Sequence, residues 1–225
     1  MDIKEFLQRD YIQQLLSENR LEEVYEKWYG DKNTLTKFFI QNEINPLEYI
    51  DRIVPDMFEN MDLKHIVIPH TVTSIGNYAF YSCKSLTSIT IPDSVTSIGS
   101  GAFRNCQSLT NITIGNSITS IGKLAFSRCD SLTSITIPDS VTSIGEDAFY
   151  GCTGLTSITI PEDVVEIKPD TFDCCTSMKE ITIKGHYTKL PEDSFFTSGN
   201  VKIRCYEGSA AHVFVTDLDL YHEVI

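Results

Sequence analysis

A block of 23 residues recurs six times between residues 63 and 200, and this repeat constrains the fold more than any other feature of the chain. The six copies start at Leu63, Leu86, Leu109, Leu132, Leu155 and Met178. The spacing of Ile53, Phe58 and Leu63 indicates a degenerate half-unit, one residue short, before the first full copy. Because a fixed period of roughly 20–50 residues is typical of repeat architectures, the sequence predicts a solenoid.

The apolar positions are fixed within each unit, and they predict its local structure. In the second copy these positions are Leu86, Ile89, Ile91, Val95, Ile98, Ala102, Phe103 and Cys106. Ile89 and Ile91 alternate with Thr90, which predicts a short strand, and Pro92 predicts the turn that follows it. We expect Ala102 and Phe103 to lie on a 3₁₀ or short helical turn. No single unit can bury these side chains, so we expect coils stacked roughly 5 Å apart around one continuous core.

The unit LTSITIPxSVTSIGxxAFxxC resembles the BspA-like subclass of leucine-rich repeats. It differs from the common leucine-rich pattern because Ser94, Ser117 and Ser140 stand where Asn or Cys is usual. The tail from Cys205 to His212 is similar to the closing segment of that family. The resemblance implies a right-handed solenoid of leucine-rich-repeat-like coils that is used for binding, often in attachment to proteins or cells.

The chain divides into three parts. Residues 1–52 are predicted to form an α-helical N-terminal cap, because apolar residues there follow helical spacing and Pro46 follows a capping Asn45. We expect residues 53–200 to form the solenoid and residues 201–225 to form a C-terminal cap, with a last apolar strand near residues 221–225. The N-terminal helices could instead form a docking or oligomerisation module, with Trp28, the only tryptophan, as its anchor.

The formal net charge of −13 argues against nucleic acid as a partner, because phosphate binding needs clustered cations. The longest apolar runs are three or four residues, so we expect no membrane insertion. The first residues contain no apolar stretch typical of a secretory signal. We therefore expect an intracellular protein, with incorporation into a virion or release by a signal-independent route as the alternatives.

The residues that could carry chemistry have structural explanations in the repeat. Five cysteines share one column at 23-residue spacing: Cys83, Cys106, Cys129, Cys152 and Cys175. Metal sites use short Cys pairs with His, which are absent here, so we expect reduced, buried thiols. No nucleophile, base and orienting group converge by spacing. The sequence therefore predicts no catalytic, metal-binding or cofactor-binding residues, and the chain is not expected to be an enzyme.

The exposed positions that vary between otherwise similar copies are the candidate binding residues. They include Tyr78, Tyr81, Arg104 and Tyr150, and Tyr and Arg are enriched at interface hot spots. The leading hypothesis is a non-enzymatic scaffold that binds a protein partner. The alternatives are a structural component of a larger surface or viral assembly, and an attachment protein that recognises a host or matrix molecule. The sequence leaves the oligomeric state and the identity of the partner open.

Overall fold

A computed structural model describes residues 51–191 and 201–225 except 219 and 221, together with the single residues 9, 14 and 36. The described elements are β1 (Arg52–Ile53), β2 (Ser74–Ile75), β3 (Ser88–Ile91), β4 (Ser97–Ile98), β5 (Asn111–Ile114), β6 (Ser120–Ile121), β7 (Ser143–Ile144), β8 (Ser157–Ile160), β9 (Glu180–Ile183), β10 (Lys202–Cys205), α1 (Ala210–Asp217) and β11 (His222–Val224). They form a β-solenoid of about seven turns, which confirms the predicted repeat fold.

Every described strand pair is parallel, and corresponding residues of successive repeats face each other. In the long-strand face, which contains β3, β5 and β8–β11, Ile89 pairs with Ile112 and Thr90 with Thr113. In the short-strand face, which contains β1, β2, β4, β6 and β7, Ile98 pairs with Ile121. The half-unit follows the same pattern with a spacing of 22 residues, since Ile53 pairs with Ile75. The register therefore follows the sequence period directly.

One column of phenylalanines runs through the core. Successive rings of Phe58, Phe80, Phe103, Phe126, Phe149 and Phe172 stack with centroids 5.0 to 5.7 Å apart. The first five of these rings are fully buried. Burying a side chain of this size contributes about 1.5–3 kcal/mol, and offset ring stacking adds to this. The predicted inward direction of the Phe column is confirmed.

The third side of each coil follows the short strand and contains residues such as Ala102 and Phe103. It does not form the predicted 3₁₀ or short helical turn. The chain there makes overlapping turns in which two residues per coil have a positive φ, such as Gly101 at 61° and Asn105 at 64°. These residues turn alternate N–H groups out of the coil, so that Phe103 N–H donates to Ala125 O of the next coil at 2.8 Å. A helical turn would keep these donors within its own coil.

The C-terminal residues close the long-strand face. Between β10 and β11 lies α1, a helix that the sequence reading missed, and Ser209 caps it by accepting a hydrogen bond from His212 N–H. β11 then pairs in parallel with β10, close to the predicted last strand. The predicted N-terminal helical cap, residues 1–52, lies almost entirely outside the described residues and stays a prediction.

Candidate protein-binding surface

The turn face consists of residues 77–82, 100–105, 123–128, 146–151 and 169–174, one six-residue segment from each of five successive coils. The second and sixth residue of every segment have a positive φ, from Tyr78 at 53° to Gly151 at 68°. Alternate backbone N–H groups are bonded to the next coil, as with Gly101 N–H to Lys123 O and Asn105 N–H to Ser127 O, both at 2.8 Å. The face is therefore a hydrogen-bonded platform whose outward side chains differ from coil to coil.

Three of the predicted binding residues are in contact at one end of this face. The rings of Tyr78 and Tyr81 meet edge to face with centroids 6.0 Å apart. The Arg104 guanidinium lies 6.0 Å from the centre of the Tyr81 ring, within cation–π range. Tyr78 is 37% exposed, and Tyr81 and Arg104 are half-buried. This aromatic–cationic cluster offers the side chains that dominate many protein interfaces.

Gly101 makes the position of Tyr78 possible. A Cβ on Gly101 would lie 2.4 Å from the Tyr78 ring, so only glycine leaves room for the ring there. The same residue has a φ of 61°, which glycine adopts without steric cost. Tyr78 therefore packs closely against Gly101 of the next coil.

Tyr150 lies further along the turn face, two coils beyond Arg104. The Cys174 Sγ approaches the Tyr150 hydroxyl at 3.7 Å and the Asp173 carboxylate at 3.5 Å. The hydrogen bond with Cys174 is the main cause that raises the pKa of Tyr150 above its ordinary value. The structure therefore places Tyr150 on the predicted face but apart from the Tyr78–Tyr81–Arg104 cluster. Trp28, the remaining predicted binding residue, lies outside the described residues.

Ion pairs connect the middle coils of the turn face. Lys123 Nζ lies 2.8 Å from a Glu146 carboxylate oxygen and 4.0 Å from Asp147. The hydrogen bond that Lys123 donates to the Glu146 carboxylate is the main reason that the pKa of Lys123 is raised. Desolvation, reinforced by the charge of Glu146, raises the pKa of Asp147. Half of the Lys123 side chain and 48% of that of Glu146 stay exposed, so both can meet a partner.

A cavity of about 360 Å³ on the long-strand face was missed by sequence reasoning. It opens where the sheet is interrupted, because residues 134–137 contribute only the single bridge between Ser134 and Ser157. Asn116, Asp139 and Lys184 line it, with Lys184 Nζ 3.1 Å from an Asp139 oxygen. Two departures from the repeat could have indicated this cavity in the sequence. Asn116 stands where two other copies have Asp, and Lys184 stands where most copies have Pro.

The described residues offer no grouping suited to metal binding, as no three His, Cys, Asp or Glu side chains come together among them. Six of the seven cysteines are buried and free, including the predicted column, and Cys174 is half-buried. Burial raises the pKa of Cys83 and Cys175 to about 12, so these thiols are poor nucleophiles at neutral pH. In the part of the chain described, no helix has the length and hydropathy needed to cross a bilayer.

Comparison with known families identifies the repeat. The family model described as "BspA type Leucine rich repeat region" matches in six copies, over residues 4–86, 51–137 and 119–207. The chain belongs to the BspA-type leucine-rich repeat family. The match starts at residue 4 and so includes most of the segment predicted to form a helical cap. No curated protein sequence matches the chain.

Solved structures of bacterial leucine-rich repeat proteins have the same fold. A leucine-rich cell surface protein from Faecalibacterium prausnitzii is 42% identical, with a TM-score of 0.52, over 55% of this chain and 32% of that one. The T. pallidum leucine-rich repeat protein is 24% identical, with a TM-score of 0.56, over 78% of this chain and 87% of that one. The pneumococcal vaccine antigen PcpA is 20% identical, with a TM-score of 0.62, over 78% of this chain and 45% of that one. The match to the first of these relatives thus spans about a third of that protein's length.

Proposed function

We propose that the chain is a non-enzymatic scaffold that binds another protein through its turn face. The observation that carries this proposal is the contact cluster of Tyr78, Tyr81 and Arg104 on a rigid, hydrogen-bonded surface. A leucine-rich repeat solenoid typically acts as a binding scaffold, and its family membership supports the same conclusion. The net charge of −13 favours a protein over a nucleic acid as the partner.

These residues lose little conformational entropy when a partner binds. The backbone of the turn face is fixed by inter-coil hydrogen bonds, so binding costs little backbone entropy. Tyr78 and Tyr81 already hold each other in position and present large aromatic surfaces with few rotatable bonds. Removing a hot-spot aromatic typically costs about 2 kcal/mol or more of binding free energy.

Quantitative affinity capture of proteins from the native source tests this function. Immobilised wild type is compared with the double variant Tyr81→Ala/Tyr150→Ala, and with the control Thr113→Ala/Thr136→Ala on the long-strand face. Proteins bound through the turn face should be depleted at least about 30-fold by the tyrosine changes, as expected for a loss of about 2 kcal/mol, and unchanged by the control. Equal capture by all three folded proteins would refute the turn face as the binding surface, and the predicted helices around Trp28 become the next candidate.

An attachment role at a surface is the second candidate. It is favoured by the 42% identity to a protein described as a cell surface protein, although that likeness covers 55% of this chain. Localisation of the protein in its native cells separates this candidate from the predicted intracellular or virion-associated scaffold. Surface labelling of intact cells supports attachment, and labelling only after lysis supports an internal role.

A further inference from the structure

Charge is segregated by sign along the turn face. The segments of the second and third coils, 100–105 and 123–128, carry Arg104, Lys123 and Arg128 and no acidic residue. The segments of the fourth and fifth coils, 146–151 and 169–174, carry Glu146, Asp147, Asp170 and Asp173 and no basic residue. The boundary lies between Lys123 and Glu146, which are themselves paired at 2.8 Å.

We propose that the turn face pairs with the turn face of a second copy of this chain, in antiparallel orientation. The proposal rests on the proposed function of this face and names its partner. The two-fold axis lies in the interface, parallel to the coils and between the third and the fourth coil. It therefore brings the second coil of one copy opposite the fifth coil of the other. Because such an interface is isologous, every contact occurs twice.

This rotation brings the fifth positions of the segments, which include Tyr81 and Tyr150, opposite fifth positions of the second copy. Arg104 of one copy faces Asp173 of the other, since both occupy the fifth position of their segments in the second and fifth coils. The bulky Tyr150 faces Ser127 of the second copy. Ser127 is small and only 1% exposed, so it leaves room for the tyrosine ring. In the first position of the segments, Lys123 faces Glu146 of the second copy. The two intramolecular Lys123–Glu146 pairs thus become one network of alternating charge.

The parallel arrangement is excluded by the same residues. It would place each coil opposite its own counterpart, so that Arg104 would face Arg104 and Asp173 would face Asp173. Like charges placed opposite each other at an interface are costly, whereas complementary patches favour both encounter and register. Charge therefore selects the antiparallel pair.

The interface is short, so the association should be weak and sensitive to salt. The second and fifth coils are three inter-coil steps of about 4.8 Å apart, or about 14 Å, so the buried area is smaller than that of a standard stable interface. The paired groups stay partly exposed, with 50% of the Lys123 side chain accessible. Their attraction is screened strongly when the ionic strength rises from about 0.05 to 0.5 M.

Sedimentation equilibrium with a charge exchange tests the pairing. We expect wild type to dimerise at low salt and to dissociate at high salt. Arg104→Asp and Asp173→Arg should each weaken dimerisation at least about tenfold by placing like charges opposite each other. The combined variant Arg104→Asp/Asp173→Arg should recover wild-type dimerisation, because the opposite charges are exchanged but still face each other. The control Lys179→Asp changes the net charge equally on another surface and should have no comparable effect.

A second exchange keeps the test decisive if Arg104→Asp does not fold. Lys123→Glu and Glu146→Lys should also weaken the dimer singly and restore it together. A wild type that stays monomeric at low salt up to about millimolar concentration, or folded single variants that dimerise as wild type does, would overturn the pairing. A monomer whose turn face still captures another protein, or a dimer that is unaffected by both charge exchanges, refutes self-pairing through the turn face alone. Equal capture of other proteins by wild type and by Tyr81→Ala/Tyr150→Ala refutes the turn face itself.

Discussion

The thiol of Cys106 donates a hydrogen bond to the backbone carbonyl of Phe80 in the preceding coil, with Sγ and O 3.1 Å apart. The same bond recurs from Cys83 to Phe58 and from Cys129 to Phe103, at 3.0 and 3.2 Å. Each carbonyl already accepts a backbone N–H within its own coil, as Phe80 O does from Cys83 N–H. The cysteine column therefore links successive coils through its protonated form, beside the stacked phenylalanines.

Alkaline pH should destabilise the fold through this column. Burial is the main cause that raises the pKa of Cys83 and Cys175 from 9.0 to about 12, and it also raises the pKa of Cys129 and Cys152. Between pH 9 and 12 the unfolded state therefore binds fewer protons than the folded state, so the free energy of unfolding falls as pH rises. Each thiol contributes a slope that approaches about 1.4 kcal/mol per pH unit.

Urea unfolding at about pH 8 and about pH 10 measures this effect. The variant Cys83→Ala should show a shallower loss of stability between the two pH values, because one shifted group has been removed. An identical pH dependence in wild type and Cys83→Ala would contradict the role assigned to the buried thiol.

The phenylalanine stack should dominate the stability of the central coils. Phe126→Ala removes a fully buried ring that stacks on both Phe103 and Phe149, and it should cost about 3–5 kcal/mol. Thr113→Ala, on the exposed long-strand face, should stay within about 0.5 kcal/mol. Thermal and urea unfolding of the two variants provide the comparison, and equal losses would mean that the inward and outward faces are wrongly assigned.

The repeat period predicted the columns because parallel stacking converts sequence spacing into contact directly. Ile89 contacts its equivalent Ile112 for this reason, and Phe103 stacks on Phe126. The turn face was not predicted in detail, because residues such as Leu124 and Arg128 adopt a positive φ that their residue types do not indicate. Their conformation follows from the inter-coil hydrogen bonds. α1 was missed because its eight residues carry little helical periodicity.

Replacing Gly115 by alanine should destabilise the fold, although the repeat consensus has a larger residue at this position. Four other copies have Pro at this position, namely Pro69, Pro92, Pro138 and Pro161. A Cβ on Gly115 would nevertheless lie 2.6 Å from the backbone carbonyl carbon and oxygen of Pro92, which cannot move freely. Gly115→Ala should therefore cost about 1–3 kcal/mol through overpacking, despite the larger side chain in the consensus.

The control for Gly115 is its neighbour. Asn116→Ala removes an exposed side chain and should change the free energy of unfolding by less than about 0.5 kcal/mol. Urea unfolding compares both variants with wild type. A neutral or stabilising Gly115→Ala would show that the third coil adopts the same turn as its proline-containing neighbours.

Site-specific photocrosslinking tests the binding role of the turn face most directly. A benzoylphenylalanine replaces Tyr81 in one protein and, as the matched control, Thr113 on the long-strand face in another. After irradiation in the native lysate, the account predicts crosslinked protein from position 81 and little from position 113. Crosslinks from position 113 with none from position 81 would contradict it.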